Sequence, residues 1–278
     1  MKTIVTHLAP DLDAATSIWL VKKFFPNFDQ AEIKFVPAGK TLADMPPDTD
    51  INQIIHVDTG LGLFDHHQLD QNTSAAKLVF EHLKKQEWIN DFQTQILLVI
   101  VEYVNNIDHF GEVFFPDAAA DFYEFCLNQI VDGLRYVIKD DQKIVVRIGE
   151  ILDGIYNMLA LKIKAQEEIR NGYVFESKYG KSIMLVSHNA QVLKLAQKLG
   201  YVLVIKKDPI KGFVSIKTLP DPKYDLTPIY EQIKKIDNKG TWFFHISKNM
   251  LINGSTKNPY FTPTPLTPQQ LIEIIKKI

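Results

Sequence analysis

The chain has 278 residues, 46% of them hydrophobic and 23% charged, with a formal net charge of −2; this excludes a disordered chain and leaves room for two ordinary domains. Its single cysteine, Cys126, sits among Phe122, Tyr123, Phe125 and Leu127, which excludes an intramolecular disulfide and a thiolate metal cluster and reads as a small core residue. No apolar run is long enough to span a bilayer, and Met1-Lys2-Thr3-Ile4 leads straight into a strand without a leader pattern, so no membrane partner and a cytoplasmic location are expected.

The first predicted strand, Thr3-Ile4-Val5-Thr6, runs into His7-Leu8-Ala9-Pro10-Asp11-Leu12-Asp13. Apolar spacing then predicts a helix over 14–25, stopped by Pro26, with Asp13 available as its N-cap. A second strand is read at 32–39, a loop at 43–50, and a third, buried strand at 54–57 that ends on Asp58. Gly60 and Gly62 loosen the following turn, which returns Asp65-His66-His67 to within reach of Asp58. A helix entered through Thr73 or Ser74 would aim its free amides at the His66 loop and favour an anion there. Further helices are predicted at 91–105, leading to Asp108, and at 118–136 and 142–170. Asn171-Gly172 reads as a helix stop, which divides the chain into 1–171 and 172–278.

Beyond Gly172, strands at 173–178, 182–187, 201–206, 212–218 and 241–246 are interleaved with helices at 189–199 and 228–235. Thr267-Pro268 opens a last helix. The fold class expected is α/β, with a mainly parallel sheet in the first domain and a smaller α/β second domain. Charge divides at the same place: residues 172–278 hold 16 Lys, no Arg and 7 Asp plus Glu, a net +9, which leaves −11 for residues 1–171. An acidic part that gathers cations beside a basic part that guides polyanions would suit a metal-dependent enzyme acting on phosphate esters. Two solvated surfaces of unlike composition would look the same.

His7, Asp11, Asp13, Asp58, His66 and Asp108 offer two imidazoles and four carboxylates without a thiol. That donor set suits Mn2+ or Mg2+ first and Co2+ or Zn2+ next. Phosphodiester hydrolysis gains from two ions about 3.5–4 Å apart, and Asp58, arriving from a central strand, is the natural bridge. Singly, such residues also occur as hydrogen-bonded strand ends, and Asp108 near a helix end reads equally as a cap.

In this order the motifs resemble those of the DHH phosphoesterase superfamily. His-x-x-Pro-Asp-x-Asp-Ala at His7–Ala14 is similar to its first motif, Val57-Asp58 to its second, Asp65-His66-His67 to its third and Asp108 to its fourth. The resemblance implies one ion held by His7, Asp11 and Asp58 and a second held by Asp13, Asp58, His66 and Asp108. It also implies that His67 faces the substrate phosphate while Asp65 orients an imidazole from behind. Trp242-Phe243-Phe244-His245 followed by Asn253-Gly254-Ser255-Thr256-Lys257 resembles the end of the melanocyte-proliferating-gene family, DHH-like proteins with 3′-to-5′ RNA exonuclease activity. Pro10-Asp11-Leu12-Asp13 is closer to the main superfamily.

Gly254-Ser255-Thr256-Lys257 could clasp a phosphate through amides, hydroxyls and an ammonium, or be an Asn-Gly turn with polar neighbours. His245 could face the same substrate or lie outward. The function expected is dinuclear, metal-dependent hydrolysis of phosphodiester bonds in short RNA, oligonucleotides or nucleotides, with two divalent ions, Mn2+ foremost. Substrate would lie between the two domains, and a homodimer is among the assemblies the sequence permits. The alternatives are a small-molecule phosphatase or pyrophosphatase, and a non-catalytic metal- or nucleotide-binding regulator on the same fold.

Overall fold

The computed structural model describes every residue except Asp48, Thr256, Lys257 and Pro259. The chain forms two compact units, Met1–Met158 and Leu159–Ile278, so the division falls inside a long helix, upstream of the Asn171-Gly172 stop. Among the described residues no helix is long and apolar enough to cross a membrane.

In the first unit, β1 (Thr3–His7) lies between β2 (Glu32–Val36) and β3 (Ile54–His56), and both pairings are parallel. The first helix, α1 (Leu12–Phe24), is buried at every residue from Leu12 to Val21, as a helix surrounded by other elements must be. Its N-cap is Asp11, whose carboxylate accepts from Ala14 N at 2.9 Å. Asp13 therefore sits inside the helix rather than capping it. The helix stops where Phe25, in extended backbone, precedes Pro26, a residue pair that disfavours further helix.

Next come α2 (Ala75–Lys85) and α3 (Asp91–Asp108). Ser74 caps α2 through a bond from Lys77 N, and a reciprocal Asn90–Gln93 capping box opens α3. Phe25, His82 and Trp88 pack together at the end of α2, with the Phe25 and His82 rings stacked at 5.5 Å. The predicted helix at 118–136 is shorter: a 3₁₀ segment at Asp121–Phe125 precedes α4 (Leu127–Val137). Cys126 is the hinge between them and is half-exposed rather than a core residue. The next helix, α5 (Asp141–Arg170), runs through the boundary between the units.

The second unit holds a six-stranded sheet. Its strands are β4 (Tyr173–Ser177), β5 (Gly180–Val186), β6 (Leu203–Lys207), β7 (Val214–Thr218), β8 (Phe243–Phe244) and β9 (Met250–Asn253). Their order is β4-β5-β6-β7-β9-β8, and only the β5–β6 pair is parallel. Strand alternation sends Ile183 and Leu185 to one face, against α6 (Gln191–Lys198) and Ile169, and Met184 to the other, against α7 (Thr227–Ile236) and α8 (Pro268–Lys276). Each such fully buried aliphatic side chain contributes about 1.5–3 kcal/mol. The strand predicted at 241–246 shrinks to Phe243–Phe244, and β9, at four residues, is too short to show a period in the sequence.

Candidate metal centre

Parallel pairing of β1 with β3 brings both chains out at one edge of the sheet, the carboxyl edge where open α/β sheets place their ligands. His7 and Asp58 emerge there side by side, with His7 Nε2 at 3.2 Å from Asp58 Oδ2. His7 Nδ1 lies 2.8 Å from the Leu8 carbonyl. A proton donated along that bond leaves the Nε2 lone pair facing inward, as a metal-binding imidazole requires.

Asp58 adopts left-handed backbone at φ +56, which few residues other than glycine, asparagine and aspartate tolerate. Its amide donates to the Phe64 carbonyl at 2.9 Å, which folds residues 59–63 into a return turn. Gly60 is required in that turn. Its φ is +84, and a Cβ there would meet Thr41 Cγ2 at 2.8 Å. The turn delivers Asp65, only 1% exposed, whose Oδ2 accepts from Leu61 N at 2.7 Å and whose Oδ1 holds His67 Nδ1 at 2.6 Å. The imidazole that Asp65 orients is thus His67, which keeps Nε2 as its remaining ring nitrogen, on a side chain 59% exposed.

His66 points into the cluster. Its Nε2 is 3.4 Å from Asp58 Oδ1, 3.6 Å from Asp108 Oδ2 and 3.9 Å from Asp13 Oδ2. Both His66 Nε2 and Asp58 Oδ1 are buried, and among the described residues neither has an aligned hydrogen-bond partner. Groups left in that state are costly unless something absent from the chain completes them. Three ligand sets, each with donor atoms within 4.8 Å of one another, overlap at this point: His7 with Asp11 and Asp58; Asp13 with His66 and Asp108; and Asp58 with His66 and His67. The oxygen and imidazole donors, the two orphaned atoms and the close spacing all fit divalent ions.

Asp13 corrects one expectation. The anion at the start of α2 is not an external ligand but this carboxylate, 2% exposed, which accepts from Ala75 N at 2.7 Å and Ala76 N at 2.8 Å. Each oxygen retains a second lone pair that could reach an ion.

Burial, the largest cause, raises the carboxyls of Asp11, Asp13 and Asp108, and the Asp58 charge adds to the rise in all three; the Ala14 amide and then His7 draw Asp11 back in part, and His66 draws Asp108 back by more than Asp58 pushes it. Burial would raise Asp58 as well, but His66 and His7 outweigh it and hold this carboxyl at about 2. The imidazoles move the other way. Burial pulls His7 down, yet the bonds to Asp58 and the Leu8 carbonyl lift it to about 9; contact with Asp58 lifts His66 to about 9 despite its burial. The cluster carries more negative charge than it can balance, and protons occupy the role that cations would fill.

Of two further residues at the site, His109 reads in the sequence as an ordinary polar residue and Arg135 has no sequence reading. His109 lies beside the cluster, its ring 6.3 Å from that of His66 and its Nδ1 2.8 Å from the Asn105 carbonyl; adjacency to Asp108 was the available signal. Arg135, on α4, donates to the Ala9 carbonyl at 2.9 Å and acts on Asp11 as a nearby cation. No local pattern connects it to residues so far back in the chain. A cavity of about 260 Å³ opens on Asp11, Asp13 and Asp108 and is rimmed by Phe110, Glu112, Asn128 and Asp132.

The residues proposed to bind substrate in the second unit do not form one group. His245 pairs with Met250 at one end of the β8–β9 hairpin, and Gly254 follows the other end of β9. Four residues of strand separate the two ends by about 13 Å. His245 Nδ1 is engaged locally, accepting from Ser247 N at 3.1 Å. Gly254 is buried at φ +81, with Phe213 so close that a Cβ would collide with its ring. Asn253 before it is fully buried and bonds to Thr241, Thr262 and Thr264. This part of the loop behaves as a structural turn; Ser255 is half-buried, and Thr256 and Lys257 lie outside the described residues.

Sheet and side chains together define the first unit as an α/β domain with a cluster of oxygen and imidazole donors that could hold metal ions. The chain belongs to the family described as ChrB, C-terminal domain, which matches residues 4–159. That span is nearly the whole of the first unit, and the match lends no support to the melanocyte-proliferating-gene resemblance. No curated protein matches the sequence.

Among solved structures the chain is similar to a DHH domain described as belonging to a family of ribosomal proteins, at 12% identity and a TM-score of 0.32, covering 99% of this chain and 86% of that one. It is also similar to an exopolyphosphatase-related protein from Bacteroides fragilis, at 12% identity and a TM-score of 0.24, covering 99% and 90%. A third likeness is to a protein put forward as a family II inorganic pyrophosphatase from Methanococcus jannaschii, at 14% identity and a TM-score of 0.23, covering 99% of each chain. At these scores none of the three bears on the chemistry, which is read from the residues.

Proposed function

We propose that the protein is a divalent-metal-dependent phosphoester hydrolase with a two-ion site. One observation carries the reading: three ligand sets converge on Asp58 and His66, whose facing atoms are buried and lack aligned partners. His7, Asp11 and Asp58 would hold one ion, and Asp13, His66 and Asp108, with Asp58 between the sites, would hold the other. Bound ions of this kind supply a water of lowered pKa and neutralise charge as the phosphoester bond breaks.

The chain's own residues do the rest. Asp58, held at about 2 by two imidazoles, stays ionised at working pH and can bridge. Asp65 fixes the His67 ring through Nδ1, so that Nε2 is presented to a phosphate oxygen as a positioned donor when protonated. The β1 and β3 ends fix the distances before substrate arrives. The basic character of residues 172–278 favours a polyanionic substrate, and phosphodiesters in short RNA or oligonucleotides are the first to try, with Mn2+ as the first ion.

The test is Mn2+-dependent hydrolysis of a panel of short RNA and DNA oligomers, a cyclic dinucleotide, a mononucleotide and pyrophosphate, with Asp58→Ala alongside. Cleavage of one class by the wild type and not by the variant is expected. Equal rates from both proteins would remove Asp58 from the chemistry, and with it this reading.

A further inference from the structure

Phe110 carries two costs that the protein alone does not recover. It follows His109, the C-cap of α3, and adopts left-handed backbone at φ +55, the place where helices usually end on glycine or asparagine. A bulky side chain is strained there. Its ring is also 74% exposed, so burial does not offset the strain. The glycine of this turn comes one residue later for a reason of its own, since a Cβ on Gly111 would collide with the Asn106 side chain. Such unrewarded strain concentrates at binding sites.

The position of Phe110 is equally specific. The ring lines the same cavity as Asp11, Asp13 and Asp108, and it lies two residues beyond Asp108, a Cα separation of at most about 7 Å. A group attached to a phosphate held by the cluster would therefore reach it. The rest of the lining combines apolar Leu12, Val104 and Ile107 with the polar side chains of Glu112, Asn128 and Asp132. Glu112 Oε2 is buried without a hydrogen-bond partner among the described residues. Asn128 Oδ1 already accepts from the Tyr103 hydroxyl at 3.0 Å and Asp132 Oδ1 from Arg135 at 3.0 Å, which leaves Asp132 Oδ2 and the Glu112 carboxylate as acceptors for the amino and ring N–H groups of a nucleobase.

We infer that Phe110 is a stacking platform for a base of the substrate, so that the phosphoester cleaved is a nucleotide or short oligonucleotide and not an inorganic condensed phosphate; this rests on the hydrolase reading above. The exposed ring face takes the base, Glu112 and Asp132 meet its donor edge, and the attached phosphate falls to the metal-binding residues. Stacking on an aromatic side chain is sequence-tolerant, because every base offers a π-face.

The experiment uses the full chain loaded with Mn2+ and a non-cleavable, phosphonate-linked dinucleotide containing 2-aminopurine, whose fluorescence is quenched on stacking. Hydrolysis of a diribonucleotide, its abasic counterpart and pyrophosphate is measured in parallel. Phe110→Ala is expected to abolish the quenching and weaken binding about 5- to 100-fold. It should raise KM for the diribonucleotide and leave the abasic compound unaffected. Phe110→Trp should preserve both properties, and Phe110→Leu, with similar apolar area and no π-face, should not. Phe110→Gly should raise Tm through relief of strain; a lowered Tm would mean that the ring holds the fold, and would overturn the proposal.

Unchanged quenching in Phe110→Ala, or equal losses on abasic and base-bearing substrates, would also overturn it. Quenching that depends on Phe110 in a protein that hydrolyses nothing would sustain the platform and defeat the hydrolase reading. Hydrolysis indifferent to Phe110 would do the reverse.

Discussion

Two buried clusters of polar side chains, one in each unit, have opposite characters. In the second unit Asp237, 6% exposed, accepts from Trp242 Nε1 at 2.8 Å, Gly240 N at 2.7 Å, Lys239 N at 3.1 Å and the Thr264 hydroxyl. Burial alone would raise its carboxyl, but these donors, Thr264 foremost, bring it below the ordinary carboxylate range. In the first unit Asp11, Asp13 and Asp108 are all raised, and Asp58 and His66 face one another at 3.4 Å with buried atoms that have no aligned hydrogen bond among the described residues. A carboxylate supplied with enough donors is part of the framework. A group of carboxylates short of positive charge is a place prepared for something else.

Exchanging the two roles by mutation should fail in distinct ways. Asp58→Ala should lower Mn2+-dependent hydrolysis on the order of 10³-fold and cut the bound metal measured by elemental analysis, with the circular dichroism spectrum unchanged. Asp237→Ala should do the converse. By stranding several buried donors it should reduce stability by about 2–4 kcal/mol, read as a lower denaturant midpoint, while metal content holds. A fall in metal content equal to that of Asp58→Ala would erase the contrast.

His67→Ala should lower turnover about 10- to 100-fold with both ions retained. Loss of both ions would move His67 from substrate to metal. Asp65→Asn should act through the same imidazole and lower turnover by less than His67→Ala, with both ions retained in elemental analysis.

The pH dependence sharpens the comparison further. His7 and His66 are raised in the folded protein to about 9 from 6.5. Groups raised on folding contribute stability that is full below the unfolded value and is lost as pH climbs through the folded one. The metal-free protein should therefore lose Tm between pH 6.5 and about 9. Divalent ions displace the same protons, so the Tm gain on adding Mn2+ should grow over that window. A gain independent of pH would mean that the ions bind elsewhere.

The site was legible in the sequence to the extent that its groups follow strand ends. Thr3–His7 and Ile54–His56 announce themselves by β-branched and apolar runs, and the charged residues just after them could only emerge at one edge of a parallel sheet. What could not be read depends on contacts across the chain. The bonds from α2 to Asp13 join residues 62 and 63 positions apart, and the Arg135 bond to Ala9 spans 126. The placement of His245 and Gly254 also depends on pairing: residues near in sequence lie at opposite ends of a hairpin because Met250–Asn253 pairs with Phe243–Phe244. The strain at Phe110 is likewise a property of backbone angles that no residue name reveals.

One consequence follows from the pairing of β1 with β3. His7 and Asp58 are 51 residues apart, and parallel neighbours cannot be closed by a tight turn, so their meeting belongs to the slow, non-local part of folding. Capture of an ion by these two side chains should then trail the formation of α1 and α2 in time. A stopped-flow refolding trace followed through a bound paramagnetic ion would serve as a clock for the closure of this sheet.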